Sequence, residues 1–179
     1  QKLLPYLKNS CYRCALPLPN TPSYAQKQLC GGCLKKRRAV INRTVAVFLY
    51  QEPIDRLILG LKFGHRFAHG RLLSALLLER LRQAYPDEKN SLPQLLIPVP
   101  LHPKRLSERG YNQALLLAEE IGRRSGLPVL ETVLTRPVHR EPQASLTGAK
   151  RRTNLEGVFR ADRVFARSIL LVDDVITTG

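Results

Sequence analysis

Methionine is absent from all 179 residues, even from position 1, so the numbering is expected to begin after the natural start. No apolar run approaches the roughly 20 residues that a membrane-spanning helix needs. The opening QKLLPYLKNS also lacks the apolar stretch of a secretory signal. The expected location is therefore the cytoplasm, with no membrane span. Acids are scarce, 14 against 29 Lys and Arg, which leaves a net charge of +15. Such an excess attracts polyanions, whether nucleic acid or phosphorylated ligands. Aromatic residues are scarce too, at 6%, so contacts to a nucleic-acid backbone are expected to outweigh base stacking. No G-x-x-x-x-G-K-[ST] occurs, which excludes a P-loop nucleotide site. Internal repeats and low-complexity tracts are also missing.

What is present reads as globular, with 44% hydrophobic and 24% charged residues. The cations gather at Lys35–Arg38, around Lys104, Arg105 and Arg109, and at Lys150–Arg152. All four cysteines precede residue 34, as Cys11-x-x-Cys14 and Cys30-x-x-Cys33 with fifteen residues between the pairs. This spacing is a zinc pattern: each short knuckle puts two sulfurs on one turn, and two turns complete a tetrahedron. Two disulfides would need an oxidising compartment, and a redox pair needs no second knuckle. Residues 1–43 are thus expected to form a small module folded by structural zinc on Cys11, Cys14, Cys30 and Cys33. With all four positions closed, it is a staple or docking surface rather than a catalytic centre.

Residues 44–179 alternate strand-like and helix-like segments, which predicts an α/β domain with a mostly parallel sheet. Thr44–Tyr50 is β-branched and aromatic, as a strand should be, and Pro53 is placed to open a helix. Leu72, Leu73, Leu76, Leu77 and Leu81 recur at helical spacing and predict a core-facing helix over 71–85. Leu95–Val99 is continuously apolar, like a strand buried on both faces. A helix from about Tyr111 to Arg124 should follow, with Ala114, Leu115, Ala118 and Ile121 inward and Gly126 and Pro128 ending it. Val129–Thr135 predicts another strand, Pro137–Asn154 a mobile basic loop, and Ile169–Val172 a short apolar strand.

Ligands of parallel sheets bind beyond the carboxyl ends of the strands, where Asp173 and Asp174 stand. Adjacent carboxylates there need hydroxyls, cations or metal to compensate their desolvation; the alternative is a solvated corner. Thr177, Thr178 and Gly179 have the small, hydroxyl-bearing character of a phosphate-binding turn. One loop could then hold a ribose phosphate, with acids on the sugar and amides on the phosphate. Leu170 through Gly179 (LLVDDVITTG) resembles the 5-phosphoribosyl-1-pyrophosphate (PRPP) motif of type I phosphoribosyltransferases. The residues that usually complete this cradle would follow Gly179, so the domain is expected to be incomplete at its C-terminal end.

Pro98 through Gln113 (PVPLHPKRLSERGYNQ) joins a strand end to a helix start. Its prolines fix a loop, Lys104, Arg105 and Arg109 bring cations, Gly110 permits a turn, and Asn112 or Gln113 can donate amide hydrogens to a diphosphate. His102 lies within this stretch and could approach a ligand, whereas His65, His69 and His139 read as ordinary polar residues. Together with the cysteine knuckles, these motifs resemble the ComF family (ComFC and GntX-type proteins) over essentially the whole chain. The resemblance implies a zinc ribbon before a type I phosphoribosyltransferase-like domain, and handling of incoming single-stranded DNA in natural transformation. Other competence proteins would be partners, and PRPP with Mg²⁺ a ligand. It also implies a hood over PRPP between Leu134 and Phe159, with Arg136 and either Arg151 or Arg152 closing on the leaving diphosphate. Two roles fit: a competence factor using PRPP as substrate or regulator, or a transferase moving phosphoribosyl to a base or amine. No acceptor-reading segment is evident, which favours the first.

Overall fold

The computed structural model describes residues 7, 9–19, 27–36, 40–86, 93–138 and 157–176. Its first part is built on the cysteines. Ser10 and Pro17 pair across the Cys11–Cys14 turn, and Cys30 leads into α1 (Gly31–Leu34). The segment that follows does not become a regular strand. Among the described residues, Thr44–Tyr50 stays extended with only a bridge at Phe48. Its backbone partners explain why: Thr44 N–H donates to Tyr12 O at 3.1 Å, and Leu7 N–H donates to Val47 O at 2.9 Å. The β-branched run is spent on joining the cysteine module to the rest. Beside it, the Arg43 guanidinium lies 4.9 Å from the Tyr12 ring centre and 4.6 Å from that of Tyr85. Its Nη1 donates to Ala84 O at 2.5 Å.

Helix α2 (Ile54–Phe63) starts directly after Pro53, as expected, and α3 spans Phe67–Ala84. The buried stripe of α3 runs through Gly70, Ser74, Leu78 and Leu81. Leu72, predicted to face the core, is 48% exposed instead. The reason lies in the later helix that carries Leu117, because Ser74 Oγ donates to Leu117 O at 3.4 Å and so turns that face toward it. Strand β1 (Leu95–Pro98) is buried at all four positions, and helix α4 (Pro103–Arg109) follows where a loop was expected. Helix α5 (Gln113–Ser125) buries Ala114, Leu117, Ala118 and Ile121. Leu115 is only half-buried.

Strand β4 (Ile169–Val172) pairs parallel with β1, in the register Leu95↔Ile169 to Pro98↔Val172. On the other side of β1, Leu96 bridges Val129 in parallel. The expected strand 129–135 is broken: beyond that bridge only β2 (Leu134–Thr135) is regular, and it pairs antiparallel with β3 (Arg160–Ala161). Helix α5 packs on the sheet, α3 on α5 and α2 on α3, around a shared core of Leu61, Leu78, Leu81, Leu96, Leu117, Ile121 and Val172. The result is a mixed α/β body with a parallel sheet. Among the described residues, no helix is long and apolar enough to cross a membrane.

Candidate functional site

The four cysteine sulfurs lie within 4.8 Å of one another, from both knuckles. Cys14 Sγ and Cys30 Sγ are 3.7 Å apart, and all four residues are free thiols. A tetrahedron with Zn–S of about 2.3 Å has edges of about 3.8 Å, so the spacing suits a metal. Burial raises the Cys11 thiol, but backbone N–H groups of Cys30, Cys14 and Arg13 outweigh it and bring it down to about 6. Cys33 is pushed up to about 12 by burial and by the neighbouring thiols. The protein alone therefore stabilises one thiolate and opposes others. A divalent cation would supply the missing compensation, and the four cysteines could hold a zinc ion.

The second site arises where β1 and β4 end together. Val99 N–H donates to Val172 O at 2.9 Å, which locks the residues after β1 beside Asp173 and Asp174. The two acids occupy different environments. Asp174 is buried, and its Oδ2 lies 2.7 Å from Lys62 Nζ of α2. Asp173 keeps solvent contact, and its Oδ1 accepts from Asp174 N–H at 2.8 Å. Crowding by protein atoms and the adjoining Asp174 charge push the Asp173 carboxyl up to about 7, with Lys62 opposing. A cavity of about 230 Å³ adjoins the pair, walled by Val45, Val47, Leu73, Leu77 and Leu170.

Arg136, just after β2, comes within charge range of both Arg105 of α4 and Asp173. Burial, then Arg105, lowers its pKa, and Asp173 opposes this. Its guanidinium lies 5.6 Å from the Phe159 ring centre, and its Nε is buried without a hydrogen-bond partner. Arg105, Arg136 and Asp173 thus influence one another's charge although they come from three separate stretches of chain. A group with anionic and hydroxyl parts would find donors and acceptors there.

Other expected contributors are used differently. Arg109 Nη1 donates to Gln113 Oε1 at 2.5 Å, and its guanidinium lies 5.0 Å from the Phe63 ring centre. Asn112 Nδ2 donates to Val99 O at 3.1 Å, while its Oδ1 caps α5 by accepting from Ala114 N–H. Gln113 is buried. These amides, expected to face a diphosphate, hold the 98–113 segment in shape instead. His102 Nδ1 caps α4 by accepting from Lys104 N–H at 3.1 Å, and Lys104 is exposed. Thr177, Thr178, Gly179, Arg151 and Arg152 lie outside the described residues, as does most of the Pro137–Asn154 loop. Lys62 was missed by sequence reasoning, since nothing local marks it as the partner of Asp174.

The fold and site define an α/β protein with a four-cysteine cluster that could hold a metal and a pair of acids at the sheet end. The chain is 38% identical to Competence protein F of Haemophilus influenzae, over 87% of its own length and 69% of that protein. It is 35% identical to the DNA utilization protein YhgH of Escherichia coli K12, over 96% of its own length and 74% of the relative's. Competence protein ComFC of Bacillus subtilis is 34% identical over 54% of the chain, or 37% of that protein. The chain belongs to the ComF family. No family model and no solved structure matches.

Proposed function

We propose that this protein is a competence factor that binds PRPP with Mg²⁺ through a phosphoribosyltransferase-like domain and handles single-stranded DNA in the cytoplasm during natural transformation. The observation that supports the ligand reading is the acid pair that follows β4 beside the end of β1, with Asp173 within charge range of Arg136 and Arg136 within charge range of Arg105. In this reading the acids accept from the ribose hydroxyls. Arg105 and Arg136 take the diphosphate, with Lys104, Arg109 and one of Arg151 and Arg152 adding charge. Thr177, Thr178 and Gly179 take the 5-phosphate. Magnesium, bound with the diphosphate, would neutralise its charge. Zinc on the four cysteines fastens the amino-terminal module. The names of the relatives and the net charge of +15 support the DNA arm.

The test follows PRPP and DNA in parallel. Calorimetry should show PRPP binding that requires Mg²⁺. Single-stranded DNA binding should weaken steeply with salt, because phosphate contacts release counterions. Consumption of PRPP with a base or amine, independent of DNA, would make the protein a transferase instead. Salt-independent DNA binding, or none, would remove the DNA arm.

A further inference from the structure

Between the end of α2 and the start of α3 three rings stand exposed within five residues. Phe63 is 69% exposed at the end of α2, although Leu61, two residues earlier, is fully buried. Phe67, the first residue of α3, is 45% exposed. His65, also exposed, lies between them, its ring centre 6.3 Å from Phe67 and 5.4 Å from Tyr111. Phe67 and Tyr111 meet edge to face at 5.0 Å. The Tyr111 hydroxyl donates to Leu61 O, which ties this cluster to the core.

The backbone is fitted to this display. His65 has φ of 49°, the left-handed region that a side chain other than glycine enters at a cost and that recurs at functional sites. A Cβ on Gly64 would come within 2.9 Å of Gly60 O, so the turn is as tight as glycine allows. The adjoining sequence is basic. Apart from Lys62, which pairs with Asp174, residues 62–71 contain Arg66 and Arg71 and no acid, and residues 103–111 contain Lys104, Arg105 and Arg109 against Glu108 alone. Arg109 lies over Phe63 itself, 5.0 Å from its centre.

Rigid rings open to solvent and bordered by cations are how unstacked bases and their phosphates are held together on one surface. We infer that Phe63, His65 and Phe67, backed by the half-buried Tyr111, form a base-stacking platform for single-stranded DNA, with Arg66 on the phosphates. This rests on the DNA arm of the proposed function and gives it a location. Aromatic residues are few in this chain, but their clustering makes stacking available where abundance alone argues against it.

The experiment measures anisotropy of the full chain with a dye-labelled dT20 and with an abasic strand of equal length, at one low salt concentration. Wild type should bind dT20 at least tenfold more tightly than the abasic strand. Phe63→Ala/Phe67→Ala should lose that difference while keeping its affinity for the abasic strand, and Phe63→Trp should retain it. Both phenylalanines are exposed, so the variants should fold, as circular dichroism will check. If wild type binds both strands equally, or the double variant binds dT20 like wild type, the platform is overturned while the DNA arm stands. If wild type binds neither strand, both fail together. Tenfold tighter binding of rU20 than of dT20 would overturn DNA as the occupant.

Discussion

Lys62 Nζ lies 2.7 Å from Asp174 Oδ2, and the aspartate side chain is only 4% exposed. A cation delivered by α2 thus holds one member of the acid pair that ends β4. Breaking a fully buried pair by removing one partner costs about 3–5 kcal/mol. The lysine keeps 21% exposure, so Lys62→Met should cost less, on the order of 2 kcal/mol. Urea unfolding of Lys62→Met, Asp174→Asn and the double variant should show the double losing clearly less than the sum. Additive losses would mean that the two groups do not support each other.

Asp173 gives a pH signature of opposite sign to that of an ordinary salt-bridged acid. Its carboxyl is raised from 3.8 to about 7 in the fold. Between those values the native state holds a proton that the unfolded state has lost. Stability attributable to this group therefore falls as pH rises from about 4 to 7 and levels off above. Relative to wild type, Asp173→Asn should gain in melting temperature as pH increases from 5.5 to 7.5. A constant difference across that window would show that the carboxyl titrates normally.

The acid pair also separates a ligand site from a merely basic surface. Replacing both Asp173 and Asp174 by Ala removes two negative charges and frees Lys62. Electrostatics alone then predicts tighter binding of an anionic compound. If the carboxylates accept from ribose hydroxyls, the loss of two charge-assisted hydrogen bonds, about 1.5–3 kcal/mol each, should weaken PRPP binding at least tenfold. Calorimetry with Mg²⁺ on the folded double variant decides between these.

The cysteine cluster and two elements of the fold are legible in the sequence. The cysteine spacing, β1 and α5 follow from local pattern, because a metal knuckle, a doubly buried strand and an amphipathic helix each write a short-range rule. Helix α4 was misread as loop on account of its prolines. Yet Pro103 stands at the first helical position and Gly110, at φ 82°, ends the helix, both ordinary boundary signals. The Thr44–Tyr50 run shows the opposite failure, since β-propensity reports side-chain fit and not which backbone will answer. Lys62 and the ring cluster were invisible for a third reason. Their meaning comes from residues far along the chain, Asp174 for one and Tyr111 for the other.

Metal content offers a test that does not depend on ligand. Fresh, reduced protein should carry one zinc per chain by elemental analysis. Cys30→Ser should lose it and loosen the amino-terminal module, because it removes one of the four sulfurs while keeping the backbone N–H that donates to Cys11 Sγ at 3.3 Å. Wild-type protein without zinc would leave the cluster as four unexplained thiols.

Arg43, clasped between Tyr12 and Tyr85, decides how this chain can be taken apart. A fragment beginning at residue 44 would uncover one face of Tyr85 and take the guanidinium from the Ala84 carbonyl at the end of α3. A fragment ending at residue 43 would lose Thr44, whose N–H and hydroxyl donate to the carbonyls of Tyr12 and Arg13 at 3.1 and 2.7 Å. Neither piece keeps a finished surface. Work on isolated fragments would therefore report the damage of the cut, and the cysteine module is best studied by substitution within the intact chain.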